Sequence, residues 1–351
     1  MNWQQLAGSI PPLDEASMAA ARARQDTLTK PQGSLGRLEE LSIQLASITG
    51  QPRPRVPRKA VIVMAGDHGV VRNGVSAFPA EVTPQMVYNF LAGGAAINVL
   101  ARQAGARVAV VDVGVAADFA DAPGLIRRKV AYGTADFTCG PAMTAEQADQ
   151  ALQAGVDVLE AEVAAGLDLV ATGDMGIGNT TPSAAIVAAL SGRPVASVTG
   201  RGTGVDDAGL ARKIAAIETA LAVNRPDPAD PFDVLRKVGG LEIAGLAGVI
   251  IAAAAHRVPV VIDGFISGAA ALIAVGLAPA ARPYLIASHR SVEVGHAAMF
   301  DLLGVRPLFD FDLRLGEGTG AVLAFHVIEA ACRILDEMAT FAEAGVSEKE
   351  G

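Results

Sequence analysis

Glu317, in the run Leu315-Gly-Glu-Gly-Thr-Gly320, is a carboxylate with glycine on both sides, in a loop that opens a helix. Two readings fit that placement. A helix N-terminus favours a nearby carboxylate by about 0.3–1 kcal/mol, so Glu317 could act as a stabiliser only. A stabiliser needs no glycines around it, whereas a general base that must reach a ring-sized substrate does, because bulky neighbours would block its approach. The helix dipole also lowers a carboxylate's pKa, so a working base here needs burial to bring it back up. Spacing alone leaves both readings open.

Two glycine clusters could hold an anion. Gly176-Ile-Gly-Asn-Thr-Thr181 precedes a helix expected to begin near Pro182, and Gly200-Arg-Gly-Thr-Gly204 precedes a helix that carries Lys213. Backbone N–H groups at such turns, with hydroxyls beside them, suit a phosphate. The plainer alternative is that the glycines only permit tight strand-to-helix turns. Neither cluster is a nucleotide fingerprint. Gly-x-x-x-x-Gly-Lys-Ser/Thr is absent, and no Gly-x-Gly-x-x-Gly follows the first strand, which removes most support for a nicotinamide-dependent oxidoreductase.

Five histidines are present. His256 and His326 lie in apolar helical stretches and read as packing or surface residues. His68, beside Asp67, and His289 fall at strand ends and could join Asp263 around a hard cation, as in a metal-dependent phosphohydrolase. No pair has the spacing of a preformed zinc site, so the expectation is no metal. A non-catalytic nucleotide-binding module is the other competing class.

The elements that must position these groups follow from the apolar pattern. Strands are expected at Ala60–Met64, Arg107–Val113, Asp168–Thr172, Val195–Thr199, Val258–Ile262 and Tyr284–Ala287. Their continuous apolar runs indicate burial on both faces. Helical stretches separate them, one opening with a Thr144/Gln147 capping box and another carrying Leu210, Ile214, Ile217 and Leu221 on one face. This alternation predicts an α/β fold with a Rossmann-like parallel sheet and helices on both faces. Residues 14–50 read as helical, Gln51–Pro57 as a stiff linker, and Thr319 to about Ala342 as a last helix. The expected organisation is an N-terminal helical segment (1–57), a large α/β substrate-binding domain (58–315) and a C-terminal helix (316–351) that joins the first segment in a small helical domain.

Composition sets the outer limits. The chain has 351 residues, 51% hydrophobic and 19% charged, enough for a sizeable core rather than disorder. Aromatics are only 4%, so that core is built from Ala, Val, Ile and Leu. A net charge of −9 argues against a nucleic-acid partner but not against a small phosphorylated ligand. Cys139 and Cys332 are far apart and read as reduced thiols of a cytoplasmic protein. No secretory signal opens the chain, and the uncharged stretch Gly264–Ala281 is Ala/Gly-rich, favouring a buried helix over a membrane span.

Taken together, five motifs resemble one family. Lys30-Pro-Gln-Gly-Ser-Leu-Gly-Arg-Leu38, Asp67-His-Gly-Val70, Gly173-Asp-Met-Gly-Ile-Gly-Asn-Thr-Thr181, Asp263-Gly-Phe265 and Leu313-Arg-Leu-Gly-Glu-Gly-Thr-Gly-Ala321 are similar to those of nicotinate-nucleotide–dimethylbenzimidazole phosphoribosyltransferases, in the right order and over nearly the whole chain. The resemblance implies transfer of phosphoribose from nicotinate mononucleotide to 5,6-dimethylbenzimidazole, giving α-ribazole 5′-phosphate for the lower ligand of cobalamin. It implies a homodimer without metal or organic cofactor. It makes Glu317 the proton acceptor. Asp174, Gly176, Asn179, Thr180, Gly202, Lys213, Asp263 and Ser291 would bind the nucleotide and its phosphate, and Phe78, Met86, Met175 and Leu315 would line the base pocket. Asp174 departs from the pattern, since the family more often has Glu there. Phe78 and Met86 stand where other members can carry polar side chains, and such an apolar lining accepts related aromatic bases.

Overall fold

The computed structural model describes residues 1–347. Six parallel strands form one sheet: β1 (Lys59–Gly66), β2 (Ala106–Gly114), β3 (Ile126–Arg127), β4 (Leu169–Met175), β5 (Val260–Ile262) and β6 (Leu285–Ala287), in the order β3-β2-β1-β4-β5-β6. Every residue of β1 is buried. Because strand side chains alternate, Ala60, Ile62 and Met64 enter one core while Val61, Val63 and Ala65 enter the other. Helices therefore cover both faces, as the continuous apolar runs predict.

Helices Val82–Leu91 and Ala96–Ala104, which connect β1 to β2, contribute Val87 and Ile97 to the second core. Helix Thr180–Ser191, which follows β4, contributes Ala184 to Val187 to the first. The chain thus leaves β1 and β4 toward opposite faces, and their carboxyl ends flank an open crevice, the place where doubly wound sheets bind ligands. Register brings Met64 opposite Asp174 and Ala65 opposite Met175 at that edge. On the first face, helices Ala145–Ala164 and Leu241–Ala255 touch at Gly155 and Gly248, where a methyl group would overlap the carbonyls of Gly245 and Leu152. The Thr144/Gln147 capping box opens the first of these helices.

Four sequence expectations need correction. Val195–Val198 is a single helical turn rather than a strand: Pro194 precedes it, and the Thr199 hydroxyl donates back to the Val195 carbonyl at 2.7 Å. A short apolar β-branched run reads the same in either state, and flanking context decides. The two-residue edge strand β3 is too short to show any periodicity. Residues 14–50 form two helices, Glu15–Thr27 and Arg37–Thr49, because Pro31 and the left-handed Gly33 and Gly36 interrupt the run. The last helix ends at Glu337, with a separate turn at Phe341–Ala344.

Helix Thr319–Glu337 lies on the sheet through Ala321, Val322 and Phe325 and also packs against Arg37–Thr49. Arg24 seals its carboxyl end, donating to the carbonyls of Leu335 and Met338 at 2.6 and 3.1 Å. The Gly264–Ala281 stretch contains the buried helix Phe265–Leu277. Among the described residues, no helix is long and apolar enough to cross a membrane.

Candidate active site

The strand ends converge on a cavity of about 220 Å³ bordered by Phe78, Asp174, Asn179, Thr180, Gly202, Ser291, Leu315 and Gly316. Larger hollows open beside Arg55, Lys30 and Arg212, about 360, 980 and 330 Å³, none of them at the strand ends, and one of about 440 Å³ along Gly200–Gly204 adjoins the crevice through Gly202, Glu293 and Arg314. The crevice is therefore the chemically relevant one.

Glu317 sits one residue behind the cavity wall, 7% exposed. Its backbone is left-handed (φ 63°), a conformation that costs a residue with a side chain about 1–2 kcal/mol. The turn is held from two sides. Asp263 at the end of β5 accepts N–H groups from Gly318 at 3.2 Å and Ala321 at 2.9 Å. Gly173 of β4 lies so close beneath that a methyl there would overlap the Glu317 carbonyl oxygen. The Glu317 carboxylate accepts the Ile97 N–H at 3.3 Å, at the start of helix Ala96–Ala104. Burial raises its pKa above the usual carboxylate range, with the Ile97 bond opposing. That upward push is what a base at a helix start requires.

Other carboxylates crowd the same edge. Asp174 accepts the Asn179 side-chain amide at 2.9 Å, and burial, reinforced by the charge of Asp263, pushes its carboxyl well above the usual range. Burial also raises Asp263 to about 7, against the backbone N–H groups it accepts. Its oxygens are engaged by the Glu317 turn, and like Glu317 it lies just behind the cavity wall, next to the lining residue Gly264.

Both glycine clusters reach the cavity, through Asn179 and Thr180 of one and Gly202 and Thr203 of the other. Asn179 stands just before the helix that begins at Thr180, two residues earlier than Pro182, and its side chain turns to Asp174 rather than capping the helix. Lys213 is buried behind Thr180, donating to its hydroxyl at 2.6 Å and to the Gly200 carbonyl at 3.2 Å. Burial lowers its pKa to about 8, with the charge of Glu293 opposing. The Ser291 N–H is taken by His296 at 2.9 Å, leaving the hydroxyl as the group that can face a ligand. Gly176 packs against the Gly66 carbonyl rather than on the cavity wall.

Of the expected base-pocket residues, Phe78 and Leu315 border the cavity and are 52% and 58% exposed. Met86 and Met175 instead pack against the second core. The residues weighed as cation ligands are otherwise engaged. His68 and Glu242 form a buried pair at 2.9 Å; burial pushes the His68 pKa down, but the charge and hydrogen bond of Glu242, with the charge of Asp67, together raise it. His289 is held near 4 by burial, and its Nδ1 lies 3.0 Å from the Ser288 hydroxyl. Among the described residues, no three His, Cys, Asp or Glu side chains converge as a metal site. Two charged cavity residues, Glu293 and Arg314, escaped the sequence reading. Both lie in runs of interest, the polar end of β6 and the Leu313–Ala321 motif, so position could have found them.

These features describe a doubly wound α/β protein with buried carboxylates and glycine-loop amides at its switch-point crevice. Residues 10–346 match the family model described as phosphoribosyltransferase. A nicotinate-nucleotide–dimethylbenzimidazole phosphoribosyltransferase of Chloroflexus aggregans is 68% identical over 341 residues, covering 97% of each chain. Its counterpart in Geobacter sulfurreducens is 61% identical over 339 residues, covering 97% of this chain and 96% of the relative. The crystal structure of the Thermus thermophilus enzyme superposes with a TM-score of 0.91 at 50% identity, covering 96% of this chain and 100% of that one. The chain belongs to the nicotinate-nucleotide–dimethylbenzimidazole phosphoribosyltransferase family.

Proposed function

We propose that this protein transfers phosphoribose from nicotinate mononucleotide to dimethylbenzimidazole, with Glu317 as the base. The observation that carries the role of Glu317 is its buried, upward-shifted carboxylate on a strained turn beside the cavity. Glu317 takes the N–H proton of the benzimidazole while the other ring nitrogen bonds to the anomeric carbon. The bond to nicotinate breaks with its electron pair returning to the pyridinium nitrogen, so the leaving ring needs no proton. Attack from the opposite face inverts β to α. Positive charge grows on the incoming ring as the bond forms, so a fixed carboxylate favours the transition state over the ground state.

The Thr180 and Ser291 hydroxyls, the Gly202 amide and Lys213 form the phosphate side. Asp174, which accepts from Asn179 and lines the cavity, would hold the ribose between phosphate and base. Phe78 and Leu315 give the acceptor an apolar edge that tolerates related aromatic bases.

We extend the reading to a homodimer in a reducing, cytoplasmic setting. The exposed Phe78, Val292, Val294, Phe311 and Leu315 near the cavity mouth favour a covering partner, and the free Cys139 and Cys332 suit the compartment. Segments 1–57 and 316–351 are proposed as one helical unit, supported by the packing of Arg37–Thr49 on Thr319–Glu337; residues 348–351 lie outside the described residues.

The test is nicotinate release from nicotinate mononucleotide with a panel of benzimidazoles, purines and phenols. Release with benzimidazoles is expected, unaffected by a chelator. No release with any acceptor refutes the transfer reading, and abolition by chelator favours the metal-dependent alternative.

A further inference from the structure

Glu293 lies in the loop after β6, and its carboxylate points at the glycine cluster that faces the cavity. Its Oε1 accepts the Gly202 N–H at 2.9 Å. Its Oε2 is buried without a hydrogen-bond partner and presses on Gly200, where any side chain would overlap it. The residue is 9% exposed. Its own N–H donates to the Ser291 hydroxyl at 3.3 Å, and Lys213 sits across the same loop on Thr180 and Gly200. A carboxylate buried with one oxygen unsatisfied costs stability, so its place needs a reason beyond bracing a loop.

We propose that Glu293 is an internal stand-in for phosphate. It keeps the Gly200–Gly204 loop formed in the empty site and must be displaced when a phosphorylated ligand arrives, which weakens retention of the phosphorylated product. The inference rests on the reading of Thr180, Gly202 and Ser291 as the phosphate side. A phosphate there claims the Gly202 amide and brings like charge against the Glu293 carboxylate. In a partly buried site, where water screens little, that repulsion drives the side chain off the amide.

Glu293→Gln keeps the shape and an acceptor for Gly202 but removes the charge. Titration calorimetry with inorganic phosphate and with nicotinate mononucleotide, without acceptor or turnover, reads the effect directly. Both should bind at least about fivefold tighter to the variant than to the unmodified protein, and inorganic phosphate should inhibit the variant correspondingly better. Equal or weaker binding to Glu293→Gln overturns the proposal, as does phosphate binding to neither protein. If Glu293→Gln does not fold, Glu293→Asp, which withdraws the charge by one methylene, is read in the same way. Because no turnover is involved, this failure is separate from failure of the transfer reading, which would show as no nicotinate release by the unmodified protein.

Discussion

Asp263→Asn removes the brace under Glu317 while leaving Glu317 itself in place. Asp263 is 1% exposed, and its two oxygens accept from Gly318 and Ala321. An asparagine of the same shape keeps one acceptor and turns an N–H donor toward the other backbone N–H. Leaving a buried donor unpaired costs about 1–3 kcal/mol. The left-handed backbone of Glu317 already stores about 1–2 kcal/mol, which the Asp263 bonds offset. The two quantities are of the same size, so the variant no longer prefers the strained turn. A loss of about 1.4 kcal/mol in positioning lowers kcat tenfold. We expect kcat to fall at least about tenfold and Tm by a few degrees, while the KM for nicotinate mononucleotide changes little. The assay is nicotinate release normalised to sites counted by substrate binding, alongside thermal denaturation. A merely structural Asp263 lowers Tm and the number of active sites but not kcat per site. Unchanged kcat per site would refute the reasoning.

Three further outcomes follow from the same geometry. Lys213→Met should raise the KM for nicotinate mononucleotide by about 10- to 100-fold with kcat largely kept, as expected for losing a charge-assisted contact; unchanged KM would remove Lys213 from the phosphate side. Gly173→Ala should push the Glu317 carbonyl away and depress kcat, at a stability cost of about 1–3 kcal/mol; wild-type kcat would show that the turn tolerates displacement. Activity and stability should respond oppositely to pH. Glu317 must be ionised to act, so kcat/KM rises with pH through a limb above the ordinary carboxylate range. The folded-state pKa of Asp263, about 7, lies above its ordinary 3.8, so its protonated form adds stability that is complete below pH 3.8 and lost as pH rises through about 7. The stability gap between the unmodified protein and Asp263→Asn should therefore narrow with rising pH, and a gap that widens would contradict this.

Much of this was legible in the residues. Five strands appear as continuous apolar runs because both faces of the sheet are covered, and each ends in the polar or glycine signal that marks the crevice. The runs at Val195 and in the N-terminal helices misled for physical reasons. Four apolar residues after a proline carry no period that separates a turn of helix from a strand, and loop glycines between two helical stretches are easily read through. Among the site residues, Glu317 was visible from its glycine flanks, but its left-handed backbone and its dependence on Asp263 were not. Asp263 carries a motif of its own, and only the fold shows that its oxygens accept from the next loop. Met86 and Met175 were placed by motif position, and their side chains turn toward the core.

The most direct test of the central claim is single-turnover nicotinate release by Glu317→Gln, saturated with nicotinate mononucleotide and dimethylbenzimidazole. The amide can still accept from Ile97, so folding and binding of both substrates should persist. Release should slow by about 10²- to 10⁴-fold, the usual worth of a positioned base. A variant that binds both substrates and releases nicotinate within about threefold of the unmodified rate would contradict the account, because the proton would then have another acceptor.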